Sequence, residues 1–111
     1  MQPDLSIVIV SFNTRRLLKE CLNSVYASLA ESNLAGEVIV VDNASQDGSA
    51  AMVRESFPQV RLIANEDNRG FATANNQALR ALGYGTGSLS PRYVMLLNPD
   101  NVVRGLSLIH I

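Results

Sequence analysis

Leu5-Ser6-Ile7-Val8-Ile9-Val10 is an unbroken aliphatic, mostly β-branched run with a single small polar residue. A strand with one wet face would alternate apolar and polar residues. A continuous run of this length reads instead as a strand covered on both faces, the kind that parallel sheets contain. The rest of the chain repeats the theme. Ser11-Phe12-Asn13 interrupts the run and Thr14 offers a helix cap. Leu17, Leu18, Cys21, Leu22, Val25 and Leu29 then recur at helical spacing, and Asn33 to Gly36 ends that helix. Val38 to Val41 is a second buried-strand run. A polar loop over residues 42–49 follows, then a short helix carrying Met52, Val53 and Phe57 that Pro58 closes. Val60 to Ile63 reads as a third strand. Phe71, Ala74, Ala78, Leu79 and Leu82 mark a third helix, and Tyr93 to Leu97 a fourth strand. Between these last two lies a Gly/Ser-rich connection, Gly83 to Pro91.

The order βαβαβαβ predicts right-handed crossovers and an α/β fold, a Rossmann-like parallel sheet with helices on both faces. In such open sheets, ligands bind beyond the carboxyl ends of the strands, near the point where strand order reverses. The four segments at those ends are Ser11-Phe12-Asn13, Asp42-Asn43-Ala44-Ser45, Asn65 to Phe71, and Asn98-Pro99-Asp100. All four are polar, which favours a ligand site over a purely structural sheet.

The bulk properties exclude several classes. A chain of 111 residues with 47% hydrophobic residues suffices for one core, and no internal repeat or domain boundary is visible. The formal net charge of -1 leaves no electrostatic footprint for nucleic acid. Arg15, Arg16 and Lys19 form the only dense basic cluster, expected on the solvated face of a helix. Cys21 is the sole cysteine and falls in the first helix's apolar stripe, so a core thiol is expected. There is no leader pattern and no apolar run near the roughly 20 residues of a membrane span, so a cytoplasmic location is expected. The first strand–helix turn has no glycine, which disfavours a dinucleotide, and neither a phosphate-loop lysine motif nor a nucleophile elbow occurs. The sole histidine, His110, lies in the tail.

What remains is a set of carboxylates without a basic phosphate cradle. Asp100 follows a hydrophobic strand, and Pro99 stiffens the approach to it. Two readings stand. Asn-Pro-Asp is a good turn sequence. A carboxylate at a strand end also suits Mg²⁺ or Mn²⁺, which bind through one or two carboxylates plus substrate phosphates.

At this point the sequence resembles the family-2 glycosyltransferases of the glycosyltransferase A fold, over nearly all of residues 5 to 104. Four segments carry the resemblance: Ile7-Val8-Ile9-Val10-Ser11-Phe12-Asn13, Val40 to Gly48, Asn68 to Asn76, and Leu96-Leu97-Asn98-Pro99-Asp100. Each is weak alone; their joint order and spacing is specific. The resemblance implies a nucleotide-sugar-binding role for each loop. Ser11, Phe12 and Asn13 would line the base pocket, though Phe12 equally suits core packing. Asp42 would hydrogen-bond the base or ribose edge, with Asn43 and Ser45 beside it; Ser45 or Asp47 would better cap the next helix. Asn68, Gly70 and Phe71 would border the nucleotide and sugar, with a plain turn glycine as the other reading of Gly70. Asn75 would reach the site from the third helix or remain an exposed amide. Asn98 stands where the family's Asp-x-Asp motif has its first carboxylate, leaving Asp100 as the metal ligand. The Asn-Pro-Asp version resembles the rhamnosyltransferase-like branch.

The function so implied is transfer of a sugar, with inversion, from a dTDP- or UDP-linked donor to a carbohydrate or lipid-linked acceptor, at the inner face of the membrane. The acceptor site and its general base belong to a second half of the domain. No catalytic residue is therefore expected in this truncated, donor-binding part, and by itself it should not transfer sugar. Residues 1–104 form the nucleotide-sugar-binding half. Residues 105–111, Gly-Leu-Ser-Leu-Ile-His-Ile, read as an atypical apolar tail: a truncation, a cloning scar or a native final strand. Such a tail would favour self-association. A non-catalytic nucleotide-binding or assembly module of the same fold is the alternative. A nucleotidyltransferase is disfavoured, because the first loop is neither Gly-rich nor basic.

Overall fold

The computed structural model describes residues 5–32, 35–82 and 93–97, with Tyr93 as backbone only. Seven elements follow in the expected order: β1 (Leu5–Ser11), α1 (Arg15–Ser32), β2 (Gly36–Asp42), α2 (Ser49–Ser56), β3 (Arg61–Ala64), α3 (Phe71–Ala81) and β4 (Tyr93–Leu97). The strands form one sheet in the order β3-β2-β1-β4, and every pairing is parallel.

That order explains where the helices lie. From β1 to β3 the chain steps one way along the sheet, and right-handed crossovers put α1 and α2 on one face. The step from β3 to β4 runs back across β2 and β1, so the same handedness puts α3 on the other face. Side-chain alternation divides the core accordingly. Leu5, Ile7, Ile9, Val38 and Val40 pack with Leu18, Cys21, Leu22 and Val25 of α1 and Met52 and Val53 of α2. Val8, Val10, Ile39 and Val41 pack with Ala74, Ala78 and Leu82. All seven residues of β1 are buried, because both of its faces and both of its edges are covered. Each aliphatic side chain so enclosed contributes about 1.5–3 kcal/mol.

Ser6 Oγ, fully buried, donates to Glu37 Oε1 at 2.9 Å, and Glu37 lies 3.9 Å from Arg61. Tyr26 of α1 stacks on Phe57 with ring centroids 6.2 Å apart, and burial pushes its phenol pKa up to about 12. Gly36 marks a close approach: a Cβ there would lie 2.6 Å from Leu29 of α1. Cys21 is buried in the core of α1, while Arg15, Arg16 and Lys19 face solvent.

Three expectations need correction. Strand β3 starts at Arg61, because the Val60 amide donates to Phe57 O at 3.0 Å and closes a turn before the ladder begins. Phe71 opens α3 but is 54% exposed, so the buried stripe of that helix is Ala74, Asn75, Ala78 and then Leu82. Strand β2 is longer than its apolar run, since its ladder with β1 reaches from Gly36 to Asp42. Among the described residues, no helix is long and apolar enough to cross a membrane. The Gly83 to Pro91 connection and the tail over residues 105–111 lie outside the described residues.

Candidate nucleotide-sugar site

Strand order reverses between β1 and β4, and the carboxyl ends of β2 and β3 lie beside them on the same edge. The backbone is unusual here. Asn13 (φ 52°), Ala44 (φ 64°), Gly48 (φ 84°) and Gly70 (φ 81°) are the positive-φ residues among those described, and all sit in these loops. Gly70 also has ψ 167°, a combination open essentially to glycine alone. Unfavourable backbone persists only where surrounding bonds hold it, and here they do.

The β1–α1 and β2–α2 loops are laced together. The Asn13 amide donates to Ser45 Oγ at 2.8 Å, and Asn13 Oδ1 accepts from the Gln46 amide at 2.8 Å. Ser11 Oγ, nearly fully buried, pairs with Thr14 Oγ1 at 2.9 Å. Phe12 between them is 48% exposed, so it is not a core residue. Asp42 is buried, and Ser45 holds both its oxygens: the amide at 3.0 Å and the hydroxyl at 2.6 Å.

Asp47 bridges two helices. Its Oδ2 accepts from the first amide of α1, Arg15, at 2.9 Å. Its Oδ1 accepts from both the amide and the hydroxyl of Ser49, the first residue of α2. Gly48, at the capping position itself, has no side chain to offer. Burial pushes the Asp47 pKa up, but the bonds from Ser49 and Arg15 outweigh it and hold the carboxylate below its ordinary value. Two positive helix ends act in the same sense.

The third loop is tied to the second. Asn43, 2% exposed, donates to Gly70 O at 3.2 Å and accepts from Asn65 Nδ2 at 2.9 Å. Asn68 Oδ1 accepts from the Gly70 amide at 2.9 Å. Phe71 projects at the start of α3, and Asn75 is buried in that helix at 7% exposure. The structure thus brings together Ser11, Asn13, Asp42, Asn43, Ser45, Asn68 and Gly70. Asn98 and Asp100 lie outside the described residues, as does His110. Asn65 and Gln77, joined by two hydrogen bonds between their side-chain amides, carry no sequence motif that marks them as a pair. Only the polar strand end at Asn65 hinted at them.

Asp42 and Asp47 both hold protein donors, and no three His, Cys, Asp or Glu side chains gather among the described residues. The expected ligand, Asp100, follows three residues after the end of β4.

Comparison with known proteins bears on this arrangement. A family profile described as "Glycosyl transferase family 2" matches residues 6–107. The succinoglycan biosynthesis protein ExoO of Rhizobium meliloti is 33% identical over 103 residues, which is 92% of this chain and 27% of that protein. An N-acetylglucosaminyl-diphospho-decaprenol L-rhamnosyltransferase of Mycobacterium tuberculosis is 34% identical over 80 residues, covering 65% of this chain and 26% of that protein. The mannosyltransferase PcManGT of Pyrobaculum calidifontis, solved in complex with GDP-Man and Mn²⁺, superposes with a TM-score of 0.70 at 30% identity. It covers 92% of this chain, which spans 29% of the PcManGT chain. The chain therefore spans about a third or less of the length of these relatives. Strand order, the loops gathered at one sheet edge and a profile match over nearly every residue agree, and the chain belongs to glycosyl transferase family 2.

Proposed function

We propose that this chain forms the donor-binding part of an inverting sugar transferase that uses a nucleoside-diphosphate sugar. The observation that carries the reading is the lacing of three strand-end loops at the reversal point of the sheet, through Asn13–Ser45, Asn13–Gln46 and Asn43–Gly70. Ser11, the exposed ring of Phe12 and Asn13 would form the base pocket. Asp42 keeps a second lone pair on each oxygen for a base or ribose donor, besides those that Ser45 uses. Asn68, Gly70 and Phe71 would border the diphosphate and sugar, with Asn75 and Asn98 completing the wall.

In the reaction, an acceptor hydroxyl attacks the anomeric carbon, the bond to the diphosphate breaks, and a base takes the hydroxyl proton. No residue of this chain is assigned as that base. A bound Mg²⁺ or Mn²⁺ would neutralise the leaving diphosphate. Asp100 would hold it, at the position of the family's Asp-x-Asp motif that the resemblance assigns to the metal. The Mn²⁺ in the PcManGT complex supports this for a relative. The rhamnosyltransferase relative, whose name carries a decaprenol-linked acceptor, favours a lipid-linked acceptor, and the resemblance of Asn98-Pro99-Asp100 to that branch favours a dTDP-sugar donor over a UDP-linked one.

Titration with dTDP-, UDP- and GDP-sugars, with and without Mn²⁺, tests the reading. The expected result is binding that strengthens with Mn²⁺ and loses that gain in Asp100→Ala. Binding indifferent to both the metal and the substitution would overturn the metal-dependent transferase and leave a nucleotide-binding module.

A further inference from the structure

Gln77 is in the second turn of α3, one residue past the segments that carry the resemblance. Its amide nevertheless faces Asn65, at the end of β3, head to head. Gln77 Nε2 donates to Asn65 Oδ1 at 2.9 Å, and Asn65 Nδ2 donates to Gln77 Oε1 at 2.8 Å. Asn65 Nδ2 has a second hydrogen, which goes to Asn43 Oδ1 at 2.9 Å. Asn43 in turn grips the 69–70 backbone: its Nδ2 donates to Gly70 O at 3.2 Å and its Oδ1 accepts from the Arg69 amide at 3.4 Å. The Asn65 backbone amide also donates to Asp42 O at 2.9 Å. Three side chains, two from just beyond β2 and β3 and one from α3, are thus linked in series to one turn.

The polarity of this chain of amides is determined from its far end. The Arg69 amide can only donate and Gly70 O can only accept, so Asn43 must direct its oxygen to the first and its nitrogen to the second. Asn65 must then present nitrogen to Asn43. That leaves Asn65 one N–H and its oxygen, and only a Gln77 amide in a single orientation meets both. A linkage satisfied in one orientation specifies one arrangement of the backbone it ends on.

We infer that Asn43, Asn65 and Gln77 are positioning residues of the donor site. They fix the Asn68–Phe71 turn against the end of β2, so that donor binding does not bear the cost of ordering it. This role rests on the donor-site reading proposed above. Asn43 acts through the turn: both lone pairs of its oxygen are taken, and it is 2% exposed.

The test uses the intact protein, with UDP, GDP and dTDP as probes in calorimetry and solvent exchange of the Arg69 and Gly70 amides followed by NMR. Gln77→Ala and Asn65→Ala should each speed that exchange and weaken nucleotide binding about tenfold, the equivalent of one lost hydrogen bond. Exchange in β1 should stay unchanged. The paired swap Asn65→Gln with Gln77→Asn keeps two facing amides and the same combined reach, and should restore both readouts. Asn65→Asp keeps the shape but turns an acceptor toward Asn43 Oδ1, and should loosen the turn even if an alanine variant fails to fold. Single variants that bind and exchange like wild type, or a swap as impaired as the singles, would overturn the role. Wild-type protein that binds none of the three nucleotides refutes the donor-site reading itself, a different result from either.

Discussion

Helices α1 and α2 meet the sheet through Leu18, Leu22, Val25, Met52 and Val53, whereas α3 meets it through Ala74 and Ala78. On the first side, large side chains interlock over β1 and β2, reinforced by the Tyr26–Phe57 stack. On the second, two alanines let a helix lie close to the strands, and polar residues take positions a core would give to aliphatics. Asn75 is buried there, and Gln77 reaches across to Asn65. Leu96 of β4 is 50% exposed. The division of labour is physical. One face gathers apolar area, and the other sets a loop by short reach and hydrogen bonds.

Four substitutions probe that division. Leu22→Ala, at the fully buried centre of the thick face, should remove ~2–5 kcal/mol of stability in denaturant melts, the usual cost of a large core truncation. A smaller loss would mean that this face is more loosely packed than its burial suggests. Ala78→Val on the thin face should cost ~1–3 kcal/mol by overpacking; a neutral result would show that α3 has room to move and sharpen the contrast between the faces. Gly70→Ala should cost at least ~1 kcal/mol. A Cβ there meets nothing within 4 Å, so the whole effect is backbone strain at the entry to α3.

The smallest effect is electrostatic. The folded Asp47 carboxylate has a pKa below that of a free aspartate, so its contribution to stability is complete above the free value. It is lost as pH falls through the lower, folded pKa. As pH is lowered from about 5 to 2, melting temperatures should therefore drop more steeply for the wild type than for Asp47→Asn. Parallel curves would remove Asp47 as a bridge between the two helices.

The sheet could be read from its strands because burial on both faces leaves continuous runs such as Ile7 to Val10 and Val38 to Val41. Helix positions followed from the 3.6-residue spacing of α1, and the location of the site from the alternation of elements. Loop partners were not legible. Asp42 with Ser45 is local enough to guess, yet Asn13 with Gln46 and Asn43 with Gly70 join residues 33 and 27 apart. Such pairs leave no period in the sequence, and Gln77 looks like any amide on a helix. Phe12 shows the same limit: its residue type suits a core or a ligand wall, and only its 48% exposure removes the core.

The place of β1 at the centre of the sheet also matters before folding is complete. Its pairing with β2 can form early, but its other edge pairs with Tyr93–Leu97, made roughly 80 residues later. At ribosomal rates of ~5–20 residues per second, that is on the order of 4–16 s. During that interval the most aliphatic of the described strands presents an unpaired edge on the nascent chain, a template for any extended neighbour. Synthesis speed between Ser11 and Tyr93 thus sets how long the chain is exposed to misassembly, and slow codons there would lengthen its dependence on chaperones.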